Sequence, residues 1–321
     1  MNMIVVDDRW SGQNGIGRYA KELLPRITVP LTPIDPGGRP SSPIDFLVKR
    51  VSVDGVTPRA IYSPGYNGFL RATPQTITVL DLIHLQSPGA AKYRPYYDLF
   101  LKPLLKRNKH VLTISDTSKA HIERWLDDSG VAVINAGMGS SPEFTLDGPS
   151  HVADRPYFLY VGNLRSHKNV ETIVHAMTLT EGADLFIVSS DVVAVAELAT
   201  RFNVSDRVKS VAGVSDSTLA EYYRGARATL QPSLLEGFGL PALESAMCGT
   251  PVIFYEGCES VREICAGGGI PVADALDARA WADAMEATGD DLPFPPGLIV
   301  ADSYSWDRVA SVVSATLERH L

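Results

Sequence analysis

The sequence predicts an α/β protein made of two doubly wound parallel sheets. Three observations lead there. Short apolar runs of strand length alternate with helical segments along the chain, the pattern of parallel sheets. Glycine-bearing loops leave three of those runs and enter helices. Between the two series, residues 145–156 (Thr-Leu-Asp-Gly-Pro-Ser-His-Val-Ala-Asp-Arg-Pro) hold two prolines, a glycine and few large apolar side chains, as a linker does. A chain of 321 residues has room for two domains of roughly 100–200 residues each.

The expected domains are 1–150 and 151–303, with a terminal helix at 304–321. In the first, residues 3–6 read as a buried strand. A glycine-rich turn follows at 11–17, then a helix at 18–27. Further strands are expected at 59–62, 76–80, 111–114 and 131–134. The second domain has strands expected at 157–161, 185–188, 208–211, 228–231 and 251–254. Its helices are expected at 170–178, 192–202, 217–225 and 241–248. Each half is then a sheet of Rossmann type, which binds ligands at the carboxyl ends of its strands, and two such sheets facing each other make a cleft.

Composition removes some function classes. The chain is 45% hydrophobic and 21% charged, ordinary for a soluble globular protein. Its formal net charge of −8 argues against general nucleic-acid binding. Cys248, Cys258 and Cys265 form no CxxC pair and no zinc spacing, so reduced thiols are expected. Residues 1–8 lack the basic and long apolar regions of a secretory leader, and no apolar run reaches about 18 residues, so the expected location is the cytoplasm.

The three loops differ in what they offer. The first reads G-x-x-G-x-G through Gly12, Gly15 and Gly17, not the dinucleotide order. Only Asp35 stands near the place of a ribose-binding acid, so a nicotinamide site is a poor reading. A strand, glycine loop and helix start still bring backbone N–H groups close to an anion; a tight turn without ligand is the other reading. The second loop, Gly162-Asn163-Leu164-Arg165-Ser166-His167-Lys168-Asn169, enters a helix for which Asn169 is the expected N-cap. Arg165, His167 and Lys168 beside a helix N-terminus suit a diphosphate, or form a solvated basic turn. The third loop runs from Pro232 to Leu240, with Pro241 expected at the first helical position and Gly249 at the C-terminal cap. Gly237 and Gly239 leave backbone amides unshielded. Glu236 is expected to project from the loop. Glu244, expected in the first helical turn, has the carboxylate chemistry that holds a ribose diol.

At this string the sequence resembles the family-4 retaining glycosyltransferases of the GT-B fold. Their E-x7-E motif is matched by Glu236-Gly-Phe-Gly-Leu-Pro-Ala-Leu-Glu244, followed by Ser-Ala-Met-Cys-Gly-Thr-Pro-Val. Tyr160-Val-Gly-Asn-Leu-Arg-Ser-His-Lys-Asn169 is similar to the family's donor-phosphate loop, and Gly213-Val-Ser-Asp-Ser-Thr-Leu-Ala-Glu-Tyr-Tyr-Arg-Gly-Ala226 to the segment lining the nucleotide base. Asn14-Gly-Ile-Gly-Arg-Tyr19, Asp81-Leu-Ile-His84, Ile114-Ser-Asp-Thr-Ser-Lys119 and Ser305-Trp306-Asp307 also fit, the last as a tail crossing back to the first domain.

The resemblance implies a hexose moved from a nucleotide-diphosphate sugar to a glycan or lipid-linked acceptor. GDP-mannose is favoured and a UDP-sugar comes next, because the motif style resembles that of bacterial polysaccharide mannosyltransferases. Glu236 would hold hydroxyls of the transferred sugar and Lys168 would neutralise the leaving diphosphate, with Arg165 or His167 beside it. Asp81 and His84 would be the first-domain catalytic groups. Gly15, Gly17, Gly162, Asn163, Val214, Gly237, Phe238, Gly239, Leu240 and Glu244 complete the implied donor site. Two positions depart from the pattern. Asn163 stands where the family often has arginine, and Leu80 where it often has histidine. No divalent metal or other cofactor is expected, in keeping with the absence of a D-x-D sequence. Two alternatives use the same fold: an epimerase acting on the donor alone, and a non-catalytic nucleotide-sugar-binding partner subunit.

Residues 91–110 carry Lys92, Arg94, Lys102, Lys106, Arg107 and Lys109 against one acid, Asp98, with tyrosines and leucines interleaved. A basic amphipathic helix of this kind suits peripheral contact with the inner face of a membrane. The spacing of Tyr97, Leu101, Leu104 and Leu105 equally describes a helix packed on its own sheet, and Pro95 and Pro103 interrupt the pattern.

Overall fold

The computed structural model describes the chain outside residues 1–2, 11–14, 39, 41–44, 46–50, 70–72, 88, 128, 267 and 289–303. It divides into two compact units, Met1–Gly139 with Asp302–Leu321, and Ser140–Ala301.

In the first unit the order is β1 (Ile4–Asp7), α1 (Gly15–Leu23), β2 (Leu31–Ile34), β3 (Ala60–Ser63), β4 (Gln75–Ile77), α2 (Ile83–Gln86), α3 (Arg94–Tyr96), α4 (Lys102–Asn108), β5 (His110–Thr113), α5 (Asp116–Leu126) and β6 (Ala132–Asn135). Strands pair in parallel in the order β2-β1-β3-β4, and β5 pairs in parallel with β6. A parallel bridge between Thr78 and Leu112 joins the two sets. β1, β3 and β4 are buried along their whole length, as strands covered on both faces must be.

Helix α1 begins at Gly15, three residues before the expected start, so Gly15 and Gly17 lie in its first turn rather than in a preceding loop. Residues 11–14 of that expected turn lie outside the described residues. The helix also stops earlier than expected. Pro25 has no N–H to give the carbonyl of Lys21, and the chain tightens into a 3₁₀ turn at Leu24–Arg26.

In the second unit the order is β7 (Tyr157–Val161), α6 (Val170–Ala176), β8 (Asp184–Val188), α7 (Val192–Arg201), β9 (Val208–Val211), α8 (Asp216–Gly225), β10 (Ala228–Gln231), α9 (Leu240–Met247), β11 (Val252–Tyr255), α10 (Glu259–Ile264), β12 (Ile270–Val272) and α11 (Ala278–Ala287). Its sheet is parallel, ordered β12-β11-β10-β7-β8-β9. The winding reverses between β7 and β10, so the carboxyl ends of these two neighbours form the topological switch point. A buried cluster including Phe158, Ile173, Leu185, Leu230 and Trp281 fills one face of this sheet, under α6, α7 and α11.

The final helix, α12 (Trp306–Glu318), belongs to the first unit. Ser305 caps it by accepting from the Arg308 amide. Trp306 packs edge-on against Tyr19, ring centroids 5.9 Å apart, and Ser314 Oγ accepts from the Thr28 amide at 3.1 Å.

The boundary expected at 150/151 falls inside the second unit, because residues 140–151 are bound to α8. Ser141 Oγ donates to Asp216 Oδ2 at 2.5 Å, Phe144 packs on Tyr223, and the Arg224 side chain donates to the carbonyls of Thr145 and Pro149. In the basic segment, Tyr97, Leu101, Leu104 and Leu105 are buried, as a helix packed on its own sheet requires. Pro103 cannot donate to the carbonyl of Leu99, and the helix loosens to π geometry over Tyr97–Leu101 before α4. Leu99, at 67% exposure, stays outside with Lys106, Arg107 and Lys109. Cys248, Cys258 and Cys265 are buried, unpaired thiols, each pushed up to about 12 by burial first of all. Among the described residues no helix is long and apolar enough to cross a membrane.

Candidate active site

The second loop leaves β7 through Gly162 at φ +148°, where a Cβ would come within 2.9 Å of the Tyr160 hydroxyl. That hydroxyl donates to the carbonyl of Asn163 at 2.7 Å, so glycine is needed for the chain to turn this closely over the strand. The loop is fixed further by the Leu164 amide donating to Asp191 Oδ2 at 3.1 Å, and by the Arg165 amide donating to Asn163 Oδ1 at 3.2 Å. A single 3₁₀ turn, Ser166–Lys168, leads to Asn169 at φ +52°.

Asn169 stands at the N-cap position of α6, as expected from sequence, but its side chain accepts no helix amide. Its Nδ2 donates to the Ala275 carbonyl and its Oδ1 accepts from Thr172 Oγ1, both at 2.7 Å. It ties the loop to the segment before α11 instead.

The third loop leaves β10 and is joined to the second by the Leu234 amide, which donates to the His167 carbonyl at 2.8 Å. Ser260 Oγ holds the Glu236 carbonyl at 2.9 Å. Gly239 precedes α9 at φ +102°, a left-handed conformation that strains other residues. The helix begins at Leu240, so Pro241 is its second residue; the missing N–H is harmless at either position.

These two loops bring together the residues on which the sequence reading rests most. Lys168 Nζ donates to both oxygens of Glu236, at 2.6 Å to Oε1 and 2.7 Å to Oε2. The side chains are 18% and 9% exposed, so the pair is shielded from solvent but not sealed. Gln231 Nε2 adds a third donor to Glu236 Oε1 at 3.1 Å. Burial, then the negative charges of Glu236 and Asp191, raises the Tyr160 phenol far above its usual range and keeps it a hydrogen-bond donor. Gln231 Oε1 and Ser233 Oγ, at the same end of β10, are buried with no partner among the described residues. Polar capacity of that kind is characteristic of a ligand site.

Other expected residues are placed differently. Glu244 lies in the second turn of α9, not the first. It is 2% exposed, with Oε2 accepting from the Tyr223 hydroxyl at 3.0 Å. Phe238 is buried, Gly237 is buried beside it, and Val214 is half-buried against the cluster of Phe144, Leu159 and Tyr223. Arg165 is exposed and lines a cavity of about 770 Å³ between α6 and α7, of which Lys168 and Glu236 are not part. His167 is half-buried in the turn.

In the first unit, Asp81 Oδ1 accepts from the Ile83 amide at 3.1 Å and the Asp81 amide donates to the Tyr66 hydroxyl at 3.2 Å. His84 Nδ1 is 3.1 Å from the Tyr97 hydroxyl, and its ring lies 4.8 Å from that of Tyr93 and 5.8 Å from that of Tyr66. Burial, followed by the charge of Asp81, raises the Tyr66 and Tyr97 phenols, so both stay protonated.

Sequence reading missed Gln231, Ser260 and Asp191, which hold the two loops and Glu236; Tyr223, inside the 213–226 segment, was not read as the partner of Glu244. One signal was there: a glutamine closing the buried strand Ala228–Gln231, just before the loop, needs a polar partner.

Two parallel-sheet units, with this loop pair at the switch point of the second, define an α/β protein of the GT-B type. Residues 145–291 match the family "Glycosyl transferases group 1". The chain is 29% identical over 218 residues to the O-antigen chain mannosyltransferase RfbU of Salmonella typhimurium, covering 66% of this chain and 60% of that protein. It is 25% identical over 236 residues to the O-antigen chain mannosyltransferase B of Escherichia coli, covering 66% and 61%. These matches span about three fifths of the length of either relative. The crystal structure of WaaG, a glycosyltransferase involved in lipopolysaccharide biosynthesis, superposes with a TM-score of 0.69 at 14% identity, over 98% of this chain and 95% of that one.

Proposed function

We propose that the chain is a retaining glycosyltransferase that moves a hexose from a nucleotide-diphosphate sugar to a glycan or lipid-linked acceptor. The observation that carries this reading is the Lys168–Glu236 pair at the carboxyl ends of β7 and β10. An ammonium has three N–H donors and Glu236 takes two of them, leaving one direction for a phosphate oxygen. The carboxylate, held by Lys168 and Gln231, has lone pairs left for sugar hydroxyls. In the reaction the bond from the sugar anomeric carbon to the diphosphate breaks, and its electrons go to the leaving phosphate. Lys168 and the backbone amides of the glycine loops stabilise that charge as it grows. The acceptor oxygen bonds to the same face of the sugar, and its proton passes to the leaving phosphate oxygen. No carboxylate nucleophile is then needed, unlike in a double displacement.

The donor we favour is GDP-mannose, since two relatives named as mannosyltransferases agree with the motif style; a UDP-sugar comes second. The reaction is expected to need no divalent metal, as the chain has no D-x-D. A thermal-shift panel of GDP, UDP, ADP and dTDP in EDTA checks both points. GDP at about 100 times its dissociation constant is expected to stabilise by roughly 2.7 kcal/mol. A protein shifted by none of the four would remove the donor-binding reading. Turnover lost in EDTA and restored by Mg²⁺ or Mn²⁺ would remove the metal-free one.

The acceptor is proposed to lie at a membrane surface, approached by residues 91–110. With its apolar face packed inward, this segment presents Leu99, Lys106, Arg107 and Lys109. Each basic residue near an anionic surface contributes about 1 kcal/mol. The protein is therefore expected to sediment with vesicles of mixed anionic lipid at low salt, and to do so less after Lys106→Glu with Arg107→Glu. Binding unchanged by that double substitution would assign the contact elsewhere.

A further inference from the structure

A second polar site lies in the first unit, at the amino ends of β4 and β5, opposite the strand ends at which sheets of this type bind ligands. A cavity of about 430 Å³ opens there, with Thr73, Arg107, Asn108, His110 and His320 in its wall. Thr76 Oγ1 joins the two imidazoles, 2.9 Å from His110 Nε2 and 3.1 Å from His320 Nε2, and the ring centroids are 5.5 Å apart.

The hydrogen bonds fix the tautomers. His110 Nδ1 is 2.9 Å from the Asn108 carbonyl, which can only accept, so Nδ1 carries the proton and Nε2 accepts from Thr76. The Thr76 hydroxyl, having given its one proton, accepts from His320 Nε2. The nitrogen left to take up a further proton is His320 Nδ1.

The surroundings favour a negative ligand. Arg107 lines the wall, Arg59 precedes β3 and Arg319 follows α12. Burial first, then repulsion by a proton on neighbouring His110 and by the positive charges of Arg59 and Arg319, lowers the His320 imidazole below its usual range. Burial and Arg319 lower His110 against the opposing pull of the Asn108 carbonyl. Asn108 Nδ2 and Thr73 Oγ1 are buried with no partner among the described residues. Both can donate. Cationic surroundings plus unmatched donors in one cavity make an oxyanion the fitting occupant.

We propose that this cavity binds a phosphate-class oxyanion, with Asn108 and Thr73 as neutral donors and His320 as a cation formed on binding. The inference does not rest on the transferase reading. An anion favours the charged imidazolium, so binding takes up a proton and tightens as pH falls.

Sulfate is the clean probe, because it keeps its charge between about pH 5.5 and 8, and inorganic phosphate is titrated in parallel. Binding to the full chain is measured by thermal shift and calorimetry, with chloride matching the ionic strength. Sulfate is expected to bind several-fold tighter at pH 5.5 than at pH 8. His320→Gln, beyond the end of α12 at Glu318, should keep the fold and abolish that pH dependence. Asn108→Ala should weaken binding roughly tenfold with the pH dependence retained. Vesicles containing phosphatidic acid separate two sources of the same chemistry. Recruitment that sulfate competes away and Asn108→Ala weakens means a lipid phosphate; sulfate binding without recruitment means a soluble one. No saturable sulfate binding at pH 5.5, or binding that neither substitution alters, overturns the proposal.

Discussion

Replacing Lys168 with alanine is expected to lower turnover by roughly 100- to 1,000-fold, the usual effect of losing one preorganised contact to transition-state charge. Glu236→Gln should fall in the same range. Both residues sit in loops held by other bonds, from Leu234 to His167 and from Ser260 to Glu236, so neither side chain alone closes the turn. The main competing explanation is structural. Removing Lys168 leaves a carboxylate that is 9% exposed without its cation, and that costs stability for reasons unrelated to chemistry. The double substitution Lys168→Met with Glu236→Gln separates the two. It removes both charges and keeps similar volumes, so stability should return towards that of the parent. If the pair is only a clamp, turnover returns with it. If the pair works on the donor, turnover stays low while the melting temperature recovers. Single variants that fold and turn over within about threefold of the parent would end the assignment of this pair to the reaction.

The second unit was the more legible in sequence because its signals are local. Strand, glycine loop and helix follow one another within one short stretch at Tyr157–Ala176 and again at Ala228–Met247, and each turn uses its glycines for a backbone reason. The two strands that went unread, β2 and β12, are the outer strands of their sheets, and each contains a proline, Pro33 and Pro271. Proline is tolerated at an edge because no inner partner needs its N–H, yet the same residue makes the run read as a loop. Non-local pairings were beyond reach. Nothing near Glu244 announces Tyr223, 21 residues earlier on another helix, as its partner. The domain boundary shows the same limit. Residues 145–156 have a linker's composition, but the arginine that binds them, Arg224, is 75 residues away from Pro149.

Arg9→Met is expected to destabilise the first unit by about 3–5 kcal/mol, the cost of leaving buried charges without their partner. In the sequence an apolar run ends in two aspartates followed by Arg9. The structure shows a buried bridge. Arg9 donates to Asp7 through Nε at 2.8 Å and Nη2 at 2.6 Å, and to Asp45 through Nη1 at 2.9 Å and Nη2 at 3.1 Å. The three side chains are 4%, 0% and 3% exposed. Burial pulls the guanidinium pKa down, but the hydrogen bonds and charges of Asp7 and Asp45 outweigh it and hold Arg9 charged. Asn67 extends the network, its Nδ2 donating to Asp7 Oδ2 and its Oδ1 accepting from Trp10 Nε1, both at 2.5 Å. Methionine keeps the length of the side chain but strands two carboxylates in a site that excludes water. One of them then protonates more readily than it would in water, because burial disfavours the charged form. The folded variant therefore binds more protons than its unfolded chain, and its stability falls as pH rises through the carboxylate range and above. The deficit relative to the parent should be smallest near pH 4 and largest at neutral pH, read from urea midpoints at each pH. Arg9→Lys keeps the charge without the planar fork and should lose part of the same stability. A deficit under about 1 kcal/mol at pH 7, or one that does not change with pH, would show that the aspartates find other partners and that the bridge is not what fixes the carboxyl end of β1.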